Sequence, residues 1–421
     1  MKRNEKDPES LSGQQLVDEG GGLPSSASGP DGRGLSAGVA HEFPVIGVGA
    51  SAGGLEAFTQ LLQHLPADCG MALVLVQHLD PTHKSLLREA LAKTTTMTVI
   101  QPQNGTEVRP NHVYVIPSDA DMTIAGSRLM LIPRRLDERR PHLPIDLFFR
   151  SLAATRGSQA MGIVLSGNAS DGTEGLRAIK LASGLTFAQD PSSAKFGDMP
   201  RSAVEAGVVD RALAIPELAR ELVRLGHHPY VTARAAAPGP LPSGAVAAVS
   251  KILLILREQV GVDFAEYKGQ TFDRRLARRM ALRRADGPED YLALLERDPG
   301  EVRALYEDIL IHVTSFFRDP QVFEALESQI LPAIVKQKPA GAPIRMWVAG
   351  CSTGEEVYSL GISLLEVLGD SSTPVQIFGS DLSAATITKA RAGVYSDSAI
   401  REISEERRKR YFTSSAGHLP K

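Results

Sequence analysis

The run Val45-Ile46-Gly47-Val48-Gly49-Ala50-Ser51-Ala52-Gly53-Gly54, continued by Leu55-Glu56-Ala57-Phe58, decides the fold of the first half of the chain. Its β-branched start, bounded by glycines, predicts a buried strand. Leu55, Phe58, Leu61 and Leu62 then fall on one face of a helix. Gly49-Ala50-Ser51-Ala52-Gly53 fits the G-x-S-x-G turn that lifts a serine hydroxyl above a strand end. Gly47, Gly49 and Ala52 also fit G-x-G-x-x-A, a dinucleotide-binding pattern. On this stretch alone, both chemistries stay open.

Outward from it, strand and helix signals alternate over 43–226. Strands are predicted at 44–49, 71–77, 112–116, 122–132, 161–166 and 184–188, and helices at 53–64, 83–92, 145–155, 172–182, 200–206 and 215–225. Continuous apolar strands separated by amphipathic helices predict an α/β fold, a doubly wound parallel sheet covered on both faces. Residues 1–42 are rich in Gly, Ser, Pro and charge, which predicts disorder. An Ala- and Pro-rich linker is expected at 227–245, and its His227-His228 pair lacks the partners of a metal site. Residues 246–320 read as an all-helical domain, with segments at 246–259, 271–285, 288–297 and 299–312, and a further helix at 319–337. The pattern over 321–421 returns to βα: strand 344–349, helix 354–367, strand 375–379, helix 383–392. Two strands are too few for a stable doubly wound domain, so a truncated Rossmann-like unit is expected.

The 421 residues suffice for several domains, and the formal net charge of −3 argues against nucleic acid as partner. No apolar run is long enough for a membrane span, and no signal peptide is evident, so a cytoplasmic protein without membrane insertion is expected. Cys69 and Cys351 are the only cysteines, a reduced usage rather than a disulfide framework. No metal site is expected.

Ser51, His78 and Asp171 all stand at carboxyl ends of predicted strands, the edge where open parallel sheets bind ligands. In that arrangement Ser51 is the nucleophile, His78 the general base and acid, and Asp171 the group that orients the imidazole. Each could instead be a turn, packing or capping residue; their shared edge favours the triad. A dinucleotide site wants an acid at the end of the second strand, and His78 stands there.

Gly49-Ala50-Ser51-Ala52-Gly53-Gly54, Gln77-His78, Leu165-Ser166-Gly167 with Asp171-Gly172, and Phe196-Gly197-Asp198-Met199-Pro200 follow in this order over about 43–225. Together they resemble the catalytic domain of chemotaxis protein-glutamate methylesterases, the CheB family. The resemblance implies cofactor-free hydrolysis of glutamyl methyl esters, and deamidation of glutamines, on cytoplasmic helices of methyl-accepting chemoreceptors. It also implies histidine-kinase signalling components as partners. Asn168 and Ala52 stand where the family usually has methionine and threonine. The family's receiver domain has no counterpart in residues 1–42, so phosphorylation control in cis is not expected.

Further on, strand 344–349 runs into Gly350-Cys351-Ser352-Thr353-Gly354-Glu355-Glu356, and Asp381 ends the next strand. An acid there can accept both ribose hydroxyls of an adenosyl cofactor. From about 246 the chain resembles chemotaxis receptor methyltransferases, the CheR family. The resemblance implies S-adenosylmethionine as cofactor, with contacts at Thr314, Arg318, Glu356 and Asp381. His312 replaces an asparagine usual in part of that family. Arg274, Arg275, Arg278, Arg279, Arg283 and Arg284 are expected to form a basic helix that docks on acidic receptor helices. The family's later β-subdomain has no match, so little methyltransferase activity is expected from the chain alone. The alternative reading is a receptor-binding adaptor whose methyltransferase part is inactive.

Overall fold

The computed structural model describes residues 43–413, apart from 82–84, 135–141, 233–242, 266, 268, 311–313, 340, 370, 396–398 and 401–402. The expected disorder of 1–42, much of the 227–245 linker and His312 therefore lie outside the described residues.

In the first half the strands are β1 (Val45–Ala50), β2 (Ala72–Gln77), β3 (Thr98–Ile100), β4 (Thr106–Glu107), β5 (His112–Val115), β6 (Ala120–Ala125), β7 (Arg128–Pro133), β8 (Ala160–Val164), β9 (Leu185–Gln189) and β10 (Arg211–Leu213). Seven of them form one sheet in the order β10-β9-β8-β1-β2-β5-β3. Every pairing in it is parallel. The helices are α1 (Gly54–His64), α2 (Leu87–Ala92), α3 (Pro144–Arg156), α4 (Thr173–Leu181), α5 (Asp198–Glu205) and α6 (Ile215–Gly226).

Alternation along β2 shows how both faces are covered. Leu73 and Leu75 join the core formed with Phe58 and Leu61 of α1 and Leu218 and Leu222 of α6. Val74 and Val76 point the other way, to Phe148, Phe149 and Leu152 of α3 and Leu176 of α4. Each such side chain contributes about 1.5–3 kcal/mol by leaving water. The glycines of β1 belong to this packing. A Cβ at Gly47 would lie 2.7 Å from Phe149 Cε1, and one at Gly49 2.4 Å from Ile145 Cγ2. They let α3 lie close on the sheet rather than cradle a pyrophosphate.

Some expected boundaries change. The predicted strand 122–132 is an antiparallel hairpin of β6 and β7, turned at Gly126, whose φ is 57°. The apolar residues on either side of that turn concealed it. It forms a separate three-stranded sheet with β4. The helix expected at 83–92 starts at Leu87.

Beyond α7 (Pro229–Thr232), helices α8 (Ser243–Val260), α9 (Gly269–Arg283), α10 (Pro288–Leu295) and α11 (Pro299–Ile309) pack around Ile252, Leu256, Leu276, Tyr291 and Leu305. The helix expected over 319–337 is interrupted. Helix α12 (Pro320–Ala325) passes through a π-turn at Leu326–Ile330 into α13 (Leu331–Gln337). Pro332 has no N–H for the carbonyl one turn back, and the widened turn lies there. Last come β11 (Ile344–Ala349), α14 (Glu355–Leu368), β12 (Val375–Ser380), α15 (Ala384–Ala392) and α16 (Glu405–Tyr411), with β11 and β12 parallel.

The arginines of α9 are not a free basic face. Arg278 is fully buried, paired with Asp210 of the esterase-like half and with Asp308 of α11 (2.6 Å), and donates to the Gly184 carbonyl (3.0 Å). Arg275 donates to the Lys180 and Leu181 carbonyls at the end of α4 (3.0 and 2.8 Å). Arg279 binds Glu301, Arg283 binds Asp298, and Arg284 binds Glu221. Of the six, Arg274, Arg283 and Arg284 are exposed, and the last two are held in these ion pairs. Burial pushes the Asp210 carboxyl up, but the charges of Arg278 and Lys180 outweigh it and hold it well below the usual range. The helix expected to meet a receptor thus docks on its own chain. Replacing Arg278 by Met leaves buried Asp210 with Lys180 alone and buried Asp308 with only the more distant Arg279, so denaturant unfolding of R278M should show a loss of about 3–5 kcal/mol. Arg274→Ala should stay within about 0.5 kcal/mol of the parent.

Candidate active site

Strand order reverses at β1: the chain runs outward through β2 on one side, and later through β8 and β9 on the other. Such a switch point opens a crevice at the carboxyl ends of the strands. Ser51 follows β1 there, its N–H donating to the Ser166 carbonyl beyond β8 (3.0 Å). Ala50 pairs with Gln77 in the β1–β2 register, so Ser51 and His78 are the next residues on adjacent strands. His78 Nε2 lies 3.0 Å from Asp171 Oδ2, which leaves Nδ1 for the other side of the ring. The imidazole is partly open and the carboxylate is buried.

The nucleophile turn is tied down from both sides. Gly53 takes φ 72°, a left-handed conformation that suits glycine, and no side chain caps α1. The first N–H groups of that helix are thus aimed at the Ser51 turn. Ser166 Oγ donates to the Ala52 carbonyl (2.8 Å) and accepts from Phe196 N–H (3.0 Å). Gly167 bridges to Gly197, and a Cβ on it would lie 2.9 Å from Ser51 Cβ. The glycine motifs meet because the site has no room for side chains there.

Asp171 is held by a helix to which it does not belong. Its oxygens accept from Ile145 N–H (3.1 Å) and Asp146 N–H (3.0 Å), the first turn of α3. Asp146 returns the arrangement: its Oδ1 accepts from Gly172 N–H (2.9 Å) and Gly175 N–H (2.7 Å), where α4 begins. Burial, and then the adjacent Asp171 charge, push the Asp146 carboxyl up from 3.8 to about 7.

In the second half, Asp381 closes the loop after β11. Its Oδ2 accepts from Ser352 N–H (2.9 Å), and its Oδ1 from Ser383 N–H (2.9 Å). Glu356 lies exposed in the first turn of α14, and Arg318 is exposed as well. Thr314 lines a cleft of about 780 Å³ with Thr353, Glu355 and Ser383. The structure thus joins Asp381 to the loop, and places Thr314 beside Thr353; Arg318, Glu356 and Asp381 do not line that cleft. The loop fits an adenosyl group: Gly350, at φ 68°, has open space where a Cβ would stand, and Ser352 Oγ is buried without a partner. Among the described residues, no cluster of His, Cys, Asp and Glu is placed to hold a metal ion, and no helix is long and apolar enough to cross a membrane.

Comparison with known proteins agrees with both halves. Residues 46–222 match the family model of the CheB methylesterase, 247–310 the all-alpha domain of the CheR methyltransferase, and 312–419 its SAM binding domain. The chain joins a CheB domain to CheR domains. It is 36% identical over 351 residues to an uncharacterized 104.1 kDa protein of Rhodobacter capsulatus, covering 78% of this chain and 36% of that one. It is also 36% identical over 182 residues to a protein-glutamate methylesterase/protein-glutamine glutaminase of Photorhabdus laumondii, covering 42% of this chain and 52% of that one. The CheB methylesterase catalytic domain of Thermotoga maritima aligns with 26% identity and a TM-score of 0.41, over 44% of this chain and 99% of that one. The chain spans 36% to 52% of the length of these curated relatives.

Within the CheB domain, sequence reasoning missed Asp146, which reads as an ordinary first-turn acid of α3. It also missed His142, whose Nε2 lies 2.6 Å from Asp121 Oδ1 and whose ring stands edge-on to His78 with centroids 6.4 Å apart. No sequence spacing links these residues to Asp171. The Asp146 shift sets a sign for stability. Between 3.8 and about 7 the folded chain holds a proton that the unfolded chain has lost, so this group makes stability fall as pH rises through that window. Thermal melts at pH 5 and pH 8 should show that fall, and it should be smaller in Asp146→Asn.

Proposed function

We propose that the CheB domain hydrolyses glutamyl methyl esters of chemoreceptor cytoplasmic helices, with Ser51, His78 and Asp171 as its triad. The 3.0 Å contact of His78 with buried Asp171, beside Ser51 at the switch point, supports this reading most directly. Ser51 Oγ attacks the ester carbonyl while its proton passes to His78. The tetrahedral oxyanion meets N–H groups at the start of α1 other than that of Gly54, which donates to the Ser51 carbonyl (2.9 Å), each such donor worth about 3 kcal/mol. Collapse expels methoxide, which takes the proton from His78 and leaves as methanol. Water then gives a proton to His78 and attacks the acyl-enzyme, releasing the glutamyl carboxylate and restoring Ser51. With a glutamine side chain in the same site, the amide nitrogen would take the proton from His78 and leave as ammonia, and hydrolysis of the same acyl-enzyme would yield glutamate, the deamidation route. Asp171 keeps the imidazole oriented and stabilises its charged form.

The CheR domains are read as the module that holds S-adenosylmethionine, which when bound supplies an electrophilic methyl group. Asp381 would accept from the ribose through Oδ2, which has a lone pair left after its bond from Ser352 N–H, while Oδ1 already accepts from Ser383 N–H and Thr386 Oγ1. Thr314, Arg318 and Glu356 are the remaining contacts in this reading. The protein would then act in the cytoplasm, beside the kinase components that read receptor methylation. The adaptor alternative predicts binding of receptor without turnover.

Ser51→Ala should lower methanol release from methylated receptor at least about a thousandfold. Undiminished release would sink the triad, and absence of release by the parent chain would favour the adaptor. Calorimetric titration with S-adenosylhomocysteine should show Asp381→Asn binding about tenfold more weakly, the loss of one charge-assisted hydrogen bond.

A further inference from the structure

Asp146 and Asp171 are both almost fully buried, and between them their oxygens accept from four backbone N–H groups. Their charge is met by backbone N–H groups. Leu143 and Gly172 stand at the N-caps of α3 and α4, and in neither helix does the cap residue supply a side-chain bond. The two carboxylates supply the caps from the opposite helix instead. Each helix therefore begins correctly only if the other does.

We propose that Asp146 is a positioning residue of the hydrolytic site, fixing the Asp171 carboxylate against His78 through this exchange of helix caps. The inference rests on the triad reading given above. Asp146 Oδ1 holds Gly172 and Gly175, the residues that follow Asp171, and so sets where the Asp171 backbone turns into α4. The Asp146 N–H, from the same residue, holds Asp171 Oδ1, while Asp171 Oδ2 is turned to His78. One residue thus controls both the backbone and the side chain of the acid. Gly172, at φ 95°, cannot carry a side chain that would cap α4 in place of Asp146: a Cβ there would lie 2.9 Å from Ile145 Cγ2.

The exchange also joins Asp146 to the charge of the site. The groups that face it are Asp171 ahead of α4, Glu174 in α4 and Arg150 one turn along α3, with His78 reached through Asp171. The carboxyl of Asp146 titrates near neutrality because burial and the Asp171 charge oppose its ionisation. As it ionises, a second negative charge appears behind the Asp171–His78 pair. A neutral residue that accepts the same two hydrogen bonds removes that effect and keeps the geometry.

The test uses the full chain and methanol release from a methylated receptor fragment, with kcat and KM followed between pH 5 and 9. Asp146→Ala loses the acceptor, and kcat should fall about a hundredfold while KM changes little, the signature of a displaced orienting group. Asp146→Asn should restore most of that loss, yet move the rising limb of the pH profile about half a unit or more to lower pH. A purely structural role would not move that limb. If Asp146→Ala fails to fold, judged by its melting transition, the Asp146→Asn profile alone decides. A parental profile and parental kcat in Asp146→Asn would overturn the inference. Ser51→Ala measured beside them separates the two failures. Loss of release there with a parental Asp146→Asn refutes only the positioning role, whereas retained release refutes the triad and the inference together.

Discussion

The close approach of α3 to β1 is the constraint on which the rest of the CheB domain depends. Two glycines in β1 permit it, since any Cβ would strike Phe149 or Ile145. Once the helix lies flat on the strand, its first turn reaches the edge where β1, β2 and β8 end. Asp171 can then place its carboxylate on the N–H groups of Ile145 and Asp146 while it still meets His78. The positive end of α3 favours an ionised acid that would otherwise be costly to bury. Packing on one face of the sheet thereby fixes the electrostatics of the edge.

The same constraint explains which parts could be read from residues alone. The strands and helices around Val45–Gly54 were legible because burial on both faces leaves continuous apolar runs, and helices leave a different period. The candidate triad could be proposed because Ser51, His78 and Asp171 each come after such a run. The two meanings of the glycines were not separable in that way. Steric need and phosphate access leave the same letters, and only the contact with α3 tells them apart. The hairpin of β6 and β7 was concealed because a two-residue turn hardly interrupts an apolar stretch.

Charge was the least legible feature. The arginines of α9 show a basic helix, but their partners Glu221, Asp298, Glu301 and Asp308 lie before it or well after it in the chain. Asp210 is the sharpest case, since it belongs to the other half of the molecule. A solvated face, a receptor-docking face and an internal seam have one sequence signature. Only burial distinguishes them, and it makes α9 a seam between the CheB domain and the all-alpha CheR domain. Arg275, at the end of α4, and Asp146, at its start, therefore touch the two ends of one short helix. The seam and the hydrolytic edge share that element.

The position of β1 also bears on how the chain comes off the ribosome. Of the seven strands it is the first to be made, and beside β2 it keeps an open edge until residues 160–164 are available as β8. An apolar strand with an unpaired edge invites wrong pairing, and long-range parallel pairing is slow to form. Ser51 is made long before Asp171, which follows β8 together with its helix. A nascent chain thus carries an exposed sheet edge and an incomplete candidate site together. Closure of β8 onto β1 covers that edge, and the same segment carries Asp171 to the end of the sheet where Ser51 and His78 stand.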